Sequence, residues 1–132
     1  GRTPRELATS ARISSLTARP PHDTLGLPLR DLVAVLDSSE LVISLDTAPL
    51  HMSVALERPV ISLMGYNNPK RVGPYRRYLD LIVDAYGDPG EDYPIAYSHR
   101  HGRMPRITVR DVLEKIERWR SVYRARAAST RS

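Results

Sequence analysis

Cysteine is absent from this 132-residue chain, which excludes disulfides, thiolate nucleophiles and cysteine-ligated zinc. No uninterrupted apolar stretch approaches the ~18–20 residues that cross a bilayer, so no transmembrane helix is expected. The polar, arginine-bearing start has no apolar segment of the kind a secretory signal carries. A Gly-rich Walker loop, a GxGxxG turn and a GxSxG nucleophile elbow are all missing. The four histidines, His22, His51, His99 and His101, show no metal-ligand spacing, and no residue cluster asks for a metal or a cofactor. Lysine is scarce too: Lys70 and Lys115 stand against 18 arginines.

What is present reads as one soluble globular domain. Hydrophobic residues make up 41% and charged residues 27% of the chain, ordinary values for such a domain. The lack of cysteine is compatible with a cytoplasmic protein. The net charge of +5 is unevenly placed: residues 1–97 carry a net −2 and residues 98–132 a net +7. A basic segment of this kind either engages nucleic acid, anionic membrane or an acidic partner, or forms a solvated arginine-rich helix.

Thr3-Pro4-Arg5-Glu6 carries a hydroxyl cap, a proline for the first helical position and a first-turn acid, so a helix is expected near Pro4–Ala11. Ile13–Leu16 suits a short strand. Thr17–Pro28, with three prolines and Gly26, reads as a loop. Leu29, Leu32, Val33 and Leu36 recur at helical spacing and predict a helix over Leu29–Ser39 with one buried face. Leu41–Leu45 and Val60–Met64 are short β-branched apolar runs of the type buried on both faces of a parallel sheet. Between them a helix is expected from Pro49 to about Glu57, stopped by Arg58-Pro59. Tyr66–Tyr78 reads as a polar loop, Leu79–Ala85 as a strand and Gly87–Pro105 as irregular. Thr108 and Asp111 form a capping box for a final helix over Val109–Tyr123. Its apolar stripe is Val109, Val112, Leu113, Ile116, Trp119 or Arg120, and Tyr123, and a frayed tail is expected over Ala125–Ser132. Strands alternating with helices define an α/β fold with a parallel sheet.

In such sheets ligands bind beyond the carboxyl ends of the strands. Two strand ends concentrate polar chemistry. In Asp46-Thr47-Ala48-Pro49-Leu50-His51 a helix starts directly after the strand, so its first amides have no intrahelical partners and its dipole favours an anion. Ala48 keeps the backbone accessible, and Pro49 lacks an N–H where that loss costs little. Asp46 would be repelled by phosphate and suits sugar hydroxyls better. The structural alternative is a plain junction capped by Asp46 or Thr47, with His51 an ordinary helical histidine. At the second strand end Gly65 permits a tight exit, and Asn68, Lys70 and Arg71 sit in a loop able to hold phosphate or a sugar acceptor. The alternative there is a solvated basic loop.

The stretch Leu41–Gly65 resembles the signature of the heptosyltransferase-type glycosyltransferases, family 9: a strand, Asp-Thr/Ser-Gly/Ala-Pro-x-His, an Ala-rich helix, a proline, a second strand, then Phe-Gly. Asn68-Pro69, Gly73-Pro74-Tyr75 and the helix Leu29–Leu36 fit the same pattern, and the resemblance is specific over residues 27–78. It implies a GT-B fold, two Rossmann-like halves facing across a cleft, of which this chain is a partial C-terminal half. That half binds a nucleotide-diphosphate sugar, often ADP-heptose, for transfer to a saccharide or lipid-linked acceptor in lipopolysaccharide biosynthesis. Carried over, the Thr47 and Ala48 amides contact the diphosphate, Asp46 the sugar, and His51 supports the site or the diphosphate. Leu27 matches a position that packs near the base.

Some positions depart from the family pattern. Ala48 stands where many members have Gly, and Met64-Gly65-Tyr66 replaces Phe-Gly. The acid expected near the ribose is unassigned, Asp23 being one that the long Thr17–Pro28 loop offers. The catalytic base belongs to the N-terminal half of the same enzyme and has no counterpart here. A peripheral place at the inner face of the cytoplasmic membrane would bring such an enzyme to a lipid-linked acceptor. The competing reading is a non-catalytic α/β binding module whose basic C-terminal helix engages nucleic acid or anionic membrane.

Overall fold

The structure, a computed structural model, describes residues 2–125. They fall into two compact units divided between Val35 and Leu36. In the first unit, α1 (Pro4–Leu16) starts on the Thr3/Glu6 capping box, with Glu6 Oε2 accepting from the Thr3 N–H at 2.8 Å. The helix continues through Ile13–Leu16, where a strand was expected. A strand needs a neighbour for its backbone groups, whereas a helix satisfies them internally. The Thr9 and Ser15 hydroxyls also donate back to the Arg5 and Arg12 carbonyls, each at 2.8 Å. Thr17–Pro28 has no regular element, and α2 (Leu29–Ser38) follows one residue shorter than expected.

The second unit holds a three-stranded parallel sheet in the order β1 (Val42–Leu45), β2 (Val60–Met64), β3 (Ile82–Asp84). Val42 lies opposite Val60, Leu45 opposite Leu63, and Met64 opposite Asp84. β2 has a partner on each side and is the buried strand: Val60, Ile61, Ser62 and Met64 are all enclosed. β1 is not buried on both faces as its composition suggested. It is an edge strand among the described residues, and Ile43 and Leu45 remain 47% and 49% exposed.

The connection from β1 to β2 is α3 (Ala48–Ala55), which lies against both strands and buries Leu50 and Ser53. It ends before Arg58-Pro59 because Glu57 turns left-handed, at φ 58°. The Arg58 and Glu57 amides then return to the Ser53 and Val54 carbonyls at 2.8 and 3.1 Å.

β3 is shorter than the expected Leu79–Ala85 run. Tyr78 is left-handed, and Leu79–Leu81 winds into a 3₁₀ turn before the strand begins. Contacts far along the sequence impose this turn. The Asp80 carboxylate accepts from Tyr123 and from Arg118, both at 2.7 Å, and its carbonyl accepts from Lys115 at 2.9 Å. Burial pushes the Asp80 carboxyl upward, but the hydrogen bonds from Tyr123 and Arg118 outweigh it and hold the group below its usual range.

These bonds dock α5 (Val109–Trp119), whose Thr108/Asp111 capping box forms as expected. A further π-type turn, Arg120–Arg124, carries the chain past Tyr123. Trp119 joins Ile61, Leu81 and Val83 in the core, flanked by Ile116 and Tyr123. Leu113 and Val109 are 55% and 76% exposed rather than part of the packed stripe. Leu113 sits about 100° round the helix from Val112, and Val109 lies in the first turn.

The charge asymmetry also resolves within the molecule. Arg118 pairs with Asp80, Arg100 with Glu91, Arg103 and Arg106 with Asp88, and Arg124 with Glu40. The acidic body thus neutralises much of the basic segment. Arg126, Arg131 and the expected tail after Ala125 lie outside the described residues. Among the described residues, no helix is long and apolar enough to cross a membrane.

Candidate functional site

The site is built where β1 hands over to α3. Asp46 and Thr47 make the turn, and Thr47 takes the N-cap position in extended backbone, φ −147° and ψ 174°, without a side-chain cap bond. Its hydroxyl instead lies 3.3 Å from the Ser44 hydroxyl. The Leu50 amide already bonds to the Thr47 carbonyl at 3.0 Å, and Pro49 has no N–H. That leaves Thr47 and Ala48, both exposed, to present amides at the positive end of the helix. Neither amide has a partner among the described residues.

β2 delivers the other wall. Gly65 follows it, and a Cβ there would stand 2.9 Å from the Met104 backbone nitrogen, so only glycine allows this approach. Beyond it, the Asn67 side-chain N–H donates to Asp46 Oδ2. His51 Nε2 lies 3.3 Å from Asp46 Oδ1. Asp46 is 17% exposed and His51 56%. No lysine or arginine pairs with the Asp46 carboxylate among the described residues, so its two recorded partners are an amide and an imidazole. On the far side of Asn67, Oδ1 meets His99 Nδ1 at 2.7 Å, and the Tyr66 ring stacks on His99 at 4.8 Å. Asp46, Thr47, Gly65, Tyr66, Asn67 and Met104 enclose a cleft of about 180 Å³.

The sequence-expected residues divide into three groups. Asp46, Thr47, Ala48, Pro49 and His51 come together at this strand end. Asn68, Lys70 and Arg71 lie in the following loop, which is not wholly irregular: it contains a short helix, α4 (Pro69–Val72), capped by Asn68. Asn68 is buried, and its amide also donates to the Pro94 carbonyl at 2.8 Å. Lys70 Nζ bonds Asp92 and the Tyr93 carbonyl, each at 2.7 Å, and Arg71 lies 4.1 Å over the Tyr97 ring. Lys70 and Arg71 are therefore both engaged by the segment after β3. Leu27, half-buried, and Asp23, whose carboxylate accepts from the Leu25 amide at 2.8 Å, belong to the first unit. Asn67 and Met104 at the cleft, and His99 behind Asn67, are not anticipated by the sequence pattern, which gives Tyr66 only as part of the polar loop. The polar run after Gly65 is a local signal for Tyr66 and Asn67, whereas His99 and Met104, far along the chain, have none.

Arg100 braces the irregular segment that carries His99. It donates to both Glu91 carboxylate oxygens, at 2.6 and 2.7 Å, and to the Tyr86 carbonyl at 2.9 Å, with its guanidinium over the Tyr86 ring. The Arg100 hydrogen bonds and the Asp88 amide lower the Glu91 carboxyl from 4.5 to about 2. Because the folded value lies below the unfolded one, this contribution to stability is complete above pH 4.5 and disappears as the pH falls through about 2. The expected outcome is a urea midpoint that drops over that acid window, with a smaller drop in Arg100→Gln.

In parallel α/β domains, exposed helix-start amides beyond a strand end are a setting in which phosphorylated ligands bind, and this strand end presents such amides beside a carboxylate. A family model described as glycosyltransferase family 9 (heptosyltransferase) matches residues 4–89. The lipopolysaccharide core heptosyltransferase OpsX of Haemophilus influenzae is 31% identical over 124 aligned residues, covering 86% of this chain and 35% of that protein. No solved structure matches. The chain belongs to glycosyltransferase family 9, and it spans about a third of the length of this curated relative.

Proposed function

We propose that this chain is the donor-binding part of a heptosyltransferase-like glycosyltransferase, the C-terminal half of a GT-B architecture. The observation that carries the reading is the pair of unpartnered amides on Thr47 and Ala48, side by side with the Asp46 carboxylate, inside the family-matched stretch. The amides donate to the diphosphate of a nucleotide sugar such as ADP-heptose. Asp46 takes a sugar hydroxyl, and His51 steadies Asp46.

In the reaction, an acceptor hydroxyl on a saccharide or lipid-linked saccharide attacks the anomeric carbon. The new glycosidic bond forms as the bond from that carbon to the diphosphate breaks. A base from the N-terminal half takes the hydroxyl proton, and the nucleoside diphosphate leaves with its growing negative charge on the Thr47 and Ala48 amides. The charge pairing of the C-terminal segment favours this reading over nucleic-acid binding, since arginines needed for a polyanion already face carboxylates.

Calorimetric titration of the full-length protein with ADP, GDP, UDP and adenosine tests it. Binding of a nucleoside diphosphate well ahead of adenosine is the expected result. Equal or absent binding of all four removes the reading.

A further inference from the structure

The donor reading explains Asp46, Thr47 and Ala48, yet the Asp46 carboxylate is held by a residue outside the signature, and that residue by another outside the matched stretch altogether. A carboxylate only accepts, so the Asn67 amide must present its NH₂ group to Asp46 Oδ2. Its carbonyl oxygen then faces His99, and His99 Nδ1 must donate across the 2.7 Å separation. The side-chain amide can meet these two demands in one orientation only.

Three further contacts hold the histidine there. The Tyr66 ring lies parallel to it within 10°, Tyr97 meets its edge at 5.5 Å, and Asn67 and His99 share an antiparallel backbone bridge. The Arg100 amide donates to the Tyr66 carbonyl at 2.9 Å. His99 lies beyond the family-matched residues 4–89.

We infer that Asn67 and His99 are positioning residues for the donor sugar: His99 sets the Asn67 amide, and Asn67 fixes the Asp46 carboxylate in the orientation that receives a sugar hydroxyl. The inference rests on the donor-binding reading above. It separates the two parts of the donor. The diphosphate meets the Thr47 and Ala48 backbone, which neither side chain touches, while the sugar meets Asp46, which both control.

The test compares ADP with ADP-heptose on the full-length protein by calorimetry. Asn67→Ala and His99→Leu should each weaken ADP-heptose about tenfold, the effect of one hydrogen bond to a charged group, and leave ADP within about twofold. His99→Asn, whose amide N–H can stand in place of Nδ1–H, should recover most of the ADP-heptose affinity. Thermal melting of each variant is recorded alongside. The inference is overturned by unchanged ADP-heptose affinity in both disruptive variants, by equal losses for ADP and ADP-heptose, or by His99→Asn behaving like His99→Leu. A wild-type protein that binds neither nucleotide overturns the donor-binding reading itself, and this inference with it.

Discussion

Asp46→Ala in the full-length protein is expected to lower kcat/KM for transfer from ADP-heptose by about a hundredfold, the scale set by a charge-assisted hydrogen bond made in the transition state. The fold should tolerate the change. The carboxylate contributes no ion pair to a lysine or arginine among the described residues, and it has only the Asn67 amide and the His51 ring to leave behind. His51 is largely exposed and Asn67 half-buried, so water can replace the lost acceptor at a cost of about 1 kcal/mol. On the proposed donor reading the diphosphate meets backbone amides that the substitution does not touch, so ADP affinity should persist. Steady-state kinetics with ADP and ADP-heptose titrations on the same preparation separate these effects. Normal turnover would take Asp46 out of the sugar site.

Ala48→Pro removes one amide and nothing else that the fold requires. Residue 48 opens α3, the helical position where proline fits best. The preceding Thr47 is already extended, as a residue before proline must be. The position is exposed, and its amide has no partner among the described residues. Stability should therefore change little. On the proposed reading the leaving diphosphate loses one donor to its developing charge, a loss that elsewhere costs about 10²–10³ in kcat. A fall of about a hundredfold in kcat with an unchanged melting temperature is the expected pattern. Retained kcat would show that the charge is stabilised elsewhere.

The strand–helix–strand core around the site was legible in the sequence because it is local. Val60–Met64 is β-branched and apolar, Pro49 and Pro59 bracket the helix, and Asp46-Thr47-Ala48 falls at a strand end by simple spacing. Ile13–Leu16 was misread because a four-residue apolar run has no decisive period, and the capped helix upstream simply propagates through it. β3 was overextended because the 3₁₀ turn at Leu79–Leu81 depends on Arg118 and Tyr123, about forty residues away. The edge position of β1, and with it the exposure of Ile43 and Leu45, follows from strand order, which no local pattern encodes.

The same division runs through the site. The strand-end position of Asp46, Thr47 and Ala48 was readable, but Asn67 reaches Asp46 across 21 residues and His99 reaches Asn67 across 32. The charge asymmetry was visible as a count. Its resolution into Arg118–Asp80 and Arg100–Glu91 appears only when the chain is folded.

The central claim is that a nucleoside diphosphate lies against the amides that open α3. Amide-detected NMR of the isotope-labelled full-length protein, titrated with ADP, observes those groups directly. The Thr47 and Ala48 N–H resonances should show the largest shifts in the spectrum, saturating with the calorimetric affinity. Saturable ADP binding that leaves both resonances in place would contradict it.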